Sequence, residues 1–369
     1  MSAVLPIDSV VLHPIRIPLG RSVKWASSSE THADYMILEL RAGGLRGVAE
    51  GTVKLNFAAA TLKTLACVFE DIFIPRLMGI DAMDTAAVAG VFAGIREHLL
   101  AKAMIDAAVW DLRAQAAEKP LWALLGGTSP SVKMSFTVTR DSPSEMARVA
   151  LRAVGGHRMG VLKIKTGQGM ERDAEVLDAI RTVVGASVSL YADSNRAYRP
   201  EDVGPLTGML AQHAVIAAED PCALVADRSF AAIKGRSRVP LLVDGPCRGL
   251  ASAHLFLEAG ADSLSVKVGK SGITESLAMA AMAKRANARV HVGMLAEGEL
   301  GALAAASLQA ALGGLNGELW LPCEASYFLQ LPEGVLSAPL TVTNGTLKLP
   351  DIAGFAALVD WDKVKRLAP

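Results

Sequence analysis

The feature that most constrains this chain is a series of charged residues closing short apolar runs: Lys165, Asp193, Glu219, Asp244 and Lys267, spaced 28, 26, 25 and 23 residues apart. Each interval holds about one strand, one helix and two loops. The runs at 132–138, 161–165, 188–193, 215–219, 241–244, 263–267, 290–294 and 318–321 read as eight strands. The segments 172–184, 200–213 and 273–285 between them have helical spacing. Eight strands joined by such crossovers predict a parallel β/α barrel, an α/β fold of the TIM-barrel type. In that fold the spacing carries all five charged side chains to the C-terminal rim, where barrel active sites are built.

The first third of the chain reads differently. Strands at 10–17 and 34–40 and a glycine-bounded segment ending at Gly51 predict an antiparallel sheet with one buried face. Helical periodicity follows at 58–73, 84–99 and 101–117, so the order is strands then helices, an α+β unit. With 369 residues, two or three domains are expected, and 51% hydrophobic against 20% charged residues supports a sizeable core.

Lys plus Arg and Asp plus Glu are both 37, which removes the broad field that nucleic-acid binders and polybasic membrane proteins use. A small-molecule partner is expected, with no nucleic acid and no membrane. Cys67, Cys222, Cys247 and Cys323 form no CxxC pair and read as thiols of a reducing compartment. The start lacks the basic and apolar regions of a signal peptide. Residues 300–317 include Ser307, Gln309 and Asn316 and read as a buried helix and loop, so a cytoplasmic location is expected.

Any one charged strand end could be an ordinary solvent-reaching rim residue. Five in register imply more. Asp193, Glu219 and Asp244 on adjacent strands would repel one another unless a cation lies among them, and oxygen ligands without His or Cys favour Mg2+, with Mn2+ next. Lys165 and Lys267 flank this trio in strand order, which suits proton transfer at the carbon beside a metal-bound carboxylate through an enediolate. A lysine must be neutral to act as a base, and a second cation lowers its pKa. Lys163, on the same strand face as Lys165, is that cation.

These residues resemble the muconate lactonizing enzyme subgroup of the enolase superfamily, over nearly the whole chain. The matching pieces are Lys163-Ile164-Lys165, Asp193-Ser194-Asn195, Glu219-Asp220-Pro221, Asp244, and Lys267 followed by Lys270-Ser271-Gly272-Ile273-Thr274. The helix 101–112 and the segment 120–127 look like the family's entry into the barrel. The resemblance implies a modified (β/α)7β barrel over residues 129–324. It also implies an α+β capping domain, made of residues 1–128 and completed by the tail 325–369. It implies a homo-oligomer with a small carboxylate substrate. It puts the end of the seventh strand at Glu297, either a substrate-binding carboxylate or a rim residue with a structural hydrogen bond. His291 falls inside that strand, unlike the catalytic histidine of mandelate racemases.

Two departures stand out. After the third acid the family usually has Glu-Ser, whereas this chain has Gly245-Pro246-Cys247, and after Lys270 it has one glycine where two are common. Among the family's reactions, Glu318-Leu319-Trp320-Leu321-Pro322 resembles the Glu-Leu-Phe-Gly-Pro of muconate cycloisomerases and lacks the DxD of dipeptide epimerases. That favours a cycloisomerase-like isomerase with Trp320 at the substrate. The alternatives are an N-acylamino acid racemase or epimerase, an o-succinylbenzoate synthase-like or acid-sugar dehydratase lyase, and a non-catalytic metal-binding scaffold. Residues 20–27 lie where the family places its substrate lid. Arg21 or Lys24 would meet a second carboxylate and Trp25 would pack on the substrate, unless the loop is merely solvated and its tryptophan covers its own hinge.

Overall fold

The computed structural model describes residues 4–25, 29–316 and 320–369. Strands β1 (Ile7–Lys24), β2 (Ser29–Ala42) and β3 (Leu45–Thr52) form the antiparallel sheet, in the order β1-β2-β3. The β2–β3 turn pairs Ala42 with Leu45 across Gly43 and Gly44, whose φ values of 55° and 81° are those a two-residue hairpin turn demands. Residues 35–40 of β2 are all buried, so this strand is covered on both faces and not on one. The helix Leu99–Ala116 lies against β2 and β3, and the C-terminal helix Trp361–Arg366 lies against β1.

The other early helices are shorter than their periodicity suggests. The region 58–73 breaks into Leu55–Ala58, Leu62–Val68 and a π-helical turn Phe69–Phe73. Thr85–Val91 ends well before residue 99, and His98 takes a left-handed φ of 64° just before the next helix begins.

The segment 132–138 is not one strand. β4 (Ser131–Lys133) joins the C-terminal strands β12 (Val342–Thr343) and β13 (Thr346–Lys348) in a small antiparallel sheet, whereas β5 (Phe136–Val138) starts the barrel. From β5 the parallel order runs through β6 (Val161–Lys165), β7 (Ser189–Asp193), β8 (Val215–Glu219) and β9 (Leu241–Leu242). A bridge from Val243 to Leu264 carries it to β10 (Ser263–Val266), which pairs with β11 (Arg289–Val292).

The barrel closes later in the chain than expected. Residues 318–319 lie outside the described residues. Cys323 bridges in parallel to Met134, and the Glu324 N–H donates to the Val292 carbonyl at 3.0 Å, so the closing edge is at Cys323–Glu324.

Two aspartates of the helix Leu99–Ala116, buried Asp111 and half-buried Asp106, lock the cap onto its surroundings. Asp111 accepts the Val48 N–H at 3.0 Å with one oxygen and the Phe355 N–H at 2.7 Å with the other, tying the tail to β3. Asp106 accepts the N–H groups of Ile273 and Thr274 at 2.6 and 2.9 Å. These groups start the second half of the helix Val268–Arg285, which kinks at Gly272. Gly272 has a φ of 70°, and a Cβ there would lie 2.7 Å from Asp106, so the glycine after Lys270 is required twice over.

Candidate active site

Parallel register aligns the strand ends. Lys165 pairs with Asp193 and Asp193 with Glu219, while Glu219 pairs with Leu242, two residues before Asp244. Because strand side chains alternate with a period of two, Lys163 and Lys165 share the inward face. All of these charged residues are buried.

Lys163 is the hub. Its ammonium lies 2.9 Å from Glu219, 2.9 Å from Glu324 and 3.1 Å from Asp193. Burial alone would lower its pKa, but Glu219, Glu324 and Asp193 raise it well above the ordinary lysine value, so it stays cationic. Lys165 donates to the same Asp193 oxygen at 2.6 Å and to Asn195 Oδ1 at 3.2 Å. Burial would raise the Asp193 carboxyl, yet Lys165 and Lys163 hold it down to about 2. On the far side of the trio, Asp244 accepts from Lys267 at 2.7 Å with one oxygen, and with the other from Lys270 at 3.2 Å. Against burial, those two lysines keep Asp244 well below the usual aspartate range. Burial would lower Lys267, but Asp244 raises it above its usual value.

Glu219 differs from its neighbours. Burial raises its carboxyl well above the ordinary range despite Lys163, with Asp193 and Asp244 adding to the effect, and its Oε2 is buried with no hydrogen-bond partner. A buried acceptor without a donor is costly unless a cation or proton satisfies it. The donors of Asp193, Glu219 and Asp244 are hard oxygens, so the residues fit Mg2+. Among the described residues, however, the tightest cluster of potential ligand atoms, all within 4.8 Å, is Glu219, His291 and Glu324, whose two glutamates Lys163 bridges. Asp193 and Asp244 bond instead to Lys165 and Lys267.

Glu324 is the site residue that sequence reasoning missed. It accepts from Lys163 and, at 2.9 Å, from Thr137, and lies 3.5 Å from His291 Nε2. Burial would raise its carboxyl, but Lys163 and His291 lower it strongly. A signal was present: Glu324 stands 27 residues after Glu297, within the interval that spaces the other rim residues.

Trp320, expected at the substrate, is not at the site. It packs on Arg289, whose guanidinium carbon lies 5.2 Å from its ring centre. Arg289 starts its strand, which puts Trp320 at the opposite end of the barrel from the charged strand ends. The closing strand comes about three residues later than the sequence predicts.

Lys24 is also turned away, half-exposed with its ammonium 3.5 Å from Asp141. Trp25 does line the cavity, at 7% exposure, with its indole N–H on Glu30 at 2.8 Å and the buried Lys54 ammonium 4.0 Å from its ring centre. Glu297 is buried behind the site. Burial lifts its carboxyl to about 7; one oxygen accepts the Leu295 N–H at 2.8 Å and the other has no partner.

The cavity itself, about 690 Å³, lies between cap and barrel mouth. Trp25, Phe57 and His98 contribute from the cap, and Lys165, Asn195, Asp244, Lys267 and Glu324 from the barrel.

A barrel rim with two lysine-bearing strands around three adjacent carboxylates, roofed by an α+β cap, puts groups able to exchange protons where barrel enzymes build their active sites. Residues 7–126 match the mandelate racemase/muconate lactonizing enzyme N-terminal domain, and residues 145–363 match the enolase C-terminal domain-like family. The chain belongs to the mandelate racemase/muconate lactonizing enzyme family of the enolase superfamily and is an isomerase of that group. A muconate cycloisomerase of Acinetobacter lwoffii is 27% identical over 98% of this chain and 95% of its own. The fold matches the muconate lactonizing enzyme of Mucobacterium smegmatis complexed with muconolactone, with a TM-score of 0.92, 23% identity and coverage of 99% and 100%. It also matches a dipeptide epimerase of Enterococcus faecalis complexed with Mg and the dipeptide L-Leu-L-Tyr. There the TM-score is 0.86, with 26% identity and coverage of 95% and 98%.

Proposed function

We propose that this protein is a Mg2+-dependent, muconate cycloisomerase-like isomerase that moves a proton at the carbon next to a carboxylate of a dianionic substrate. The observation that carries this reading is the pair of lysines, Lys165 and Lys267, bonded to Asp193 and Asp244 at opposite ends of one arc of carboxylates. Asp193, Glu219 and Asp244 would hold the Mg2+, which supplies positive charge to a substrate carboxylate as enolate charge develops on it. Lys267, kept protonated by Asp244, delivers a proton to the α-carbon on one face. Lys165 stands on the other face, positioned by Asn195. Lys163 carries no proton in the reaction; it holds Glu219 and Glu324 in place.

The charge of the cavity favours a dianion over a dipeptide. Each acid along its wall is already engaged: Glu97 by Arg248, Asp220 by backbone N–H groups, Asp244 by Lys267 and Lys270, and Glu324 by Lys163. Among the described residues of this wall, a substrate ammonium would find no carboxylate without a partner of its own. A second reading, N-acylamino acid racemase or epimerase, is supported by both lysines being in place, since racemisation uses one on each face.

The test is to incubate the Mg2+-loaded enzyme with cis,cis-muconate, following loss of the conjugated diene, and with N-acylamino acids and dipeptides in D2O, following α-deuterium by NMR. Muconate turnover that disappears in Lys267→Ala is the expected result. Deuterium exchange into N-acylamino acids without muconate turnover would overturn the cycloisomerase reading in favour of the racemase.

A further inference from the structure

Behind the large cavity, where the cap meets the barrel, two glutamates close on one glycine. Half-buried Glu50 comes from β3 of the cap, and buried Glu297 from the loop after β11. A Cβ built on Gly301, in the helix Glu299–Asn316, would lie 2.7 Å from Glu50 Oε1 and 2.8 Å from Glu297 Cβ. Both glutamates also border a second, small cavity of about 10 Å³, walled by apolar side chains such as Met104, Ala107 and Leu300, which is about the room of one water molecule.

Backbone donors serve part of each carboxyl. The Gly298 N–H donates to Glu50 Oε1 at 2.7 Å, and the Leu295 N–H donates to Glu297 Oε2 at 2.8 Å. The other Glu297 oxygen, Oε1, is buried with no partner, 3.9 Å from the place of a Cβ on Gly269, which borders the same small cavity. A buried acceptor of that kind is costly until a donor reaches it.

The charged and titratable groups around the pair are committed elsewhere. From the cap, Lys54 is bonded to Glu30, and the Tyr35 hydroxyl donates to the Ala296 carbonyl at 3.0 Å. From the barrel, Lys267 is bonded to Asp244, Glu324 to Lys163, and Glu299 to the Leu336 and Leu340 N–H groups, while burial pushes the Cys323 thiol up to about 12. Two ionised carboxyls here would repel without a cation of their own. Burial lifts Glu50 to about 8, with Glu297 adding to the effect, and Glu297 to about 7.

We propose that Glu50 and Glu297 share one proton across the cap–barrel contact, and that this acid pair is a pH-dependent latch positioning the loop 294–298. One carboxyl donates its O–H to the other, directly or through one water. Met294, Leu295 and Ala296 of that loop line the large cavity, which neither glutamate borders, so both glutamates are positioning residues that act through the loop. Both folded values lie above the ordinary glutamate value. The latch is therefore complete below pH 4.5 and is lost as pH rises through about 7 to 8, when both carboxyls ionise and the contact turns repulsive.

The experiment is hydrogen exchange read by mass spectrometry on the full-length, Mg2+-loaded protein at pH 6 and pH 9, corrected for the intrinsic exchange rate, with the helix Met170–Val184 as reference. In the native protein, protection of residues 294–301 relative to that helix is expected to fall ~10- to 100-fold, up to tenfold for each pH unit above the folded value. Glu50→Gln and Glu297→Gln each put a non-titrating amide donor in place of the shared proton. Each should keep at pH 9 the protection it has at pH 6. The proposal is overturned if native protection of the segment is the same at both pH values, if it changes only in step with the reference helix, or if the native fall persists in either amide variant. The two variants are read independently, so one that fails to fold leaves the other to decide.

Discussion

Replacing Lys163 by methionine is the most direct probe of how the site is held together. The side chain is nearly isosteric, so packing is conserved, but one ammonium is withdrawn from among Glu219, Glu324 and Asp193 at 2.9, 2.9 and 3.1 Å. Breaking a buried ion pair by removing one partner costs about 3–5 kcal/mol, because the remaining charge is left desolvated. Here three carboxylates are left, and one answer open to them is to bind protons.

The effect is therefore pH-dependent, and its sign is fixed. Without Lys163 the folded pKa of Glu219 rises further above the unfolded value near 4.5, and that of Glu324 rises from well below it. Stability is then fully present below pH 4.5 and is lost as pH rises through the folded values, at up to about 1.4 kcal/mol per pH unit for each proton retained only by the folded state. Urea unfolding of Lys163→Met and native protein, in chelator, should show a gap of about 3–5 kcal/mol at pH 8 that closes substantially at pH 5. Adding Glu324→Gln to Lys163→Met should restore part of the stability at pH 8. A gap below about 1 kcal/mol at pH 8, or one that widens at pH 5, would refute the reasoning.

Other consequences can be checked in parallel. Glu219→Gln and Asp244→Asn should each abolish measurable Mg2+ binding by equilibrium dialysis while leaving the circular dichroism spectrum native; full affinity in both would remove these residues from the metal site. Asp106→Ala strips the cap from the second half of the helix after Lys267 and should lower stability by about 1–2 kcal/mol in urea titration. Trp25→Ala should change relative kcat/KM across substrates, and an unchanged ranking would mean that the tryptophan only covers its hinge.

Much of the architecture was legible because strand-plus-helix units have a narrow length range, so regularly spaced charges reported strand ends without any knowledge of contacts. Lys163, Lys165, Asp193 and Glu219 do meet in one network, with the pair Asp244 and Lys267 close enough to act on it through charge. The closing strand escaped because it is brief, marked by a single bridge at Cys323, and its charged end lies past a Trp-Leu-Pro run that mimics a strand. That one misplacement both promoted Trp320 and hid Glu324. Lys24 could not have been placed from sequence either, since its partner, Asp141, stands 117 residues away.

The aspartate that joins Val48 to Phe355 also sets an order of events during synthesis. Chains emerge from the ribosome N-terminus first, and domains generally fold as they appear. In this protein the first sheet is made early, but one oxygen of Asp111 has its donor only when residue 355 of 369 has been translated. The whole barrel must therefore leave the ribosome before the cap that roofs it can finish folding. A nascent chain stalled before that point carries Lys165 and Lys267 under an incomplete roof.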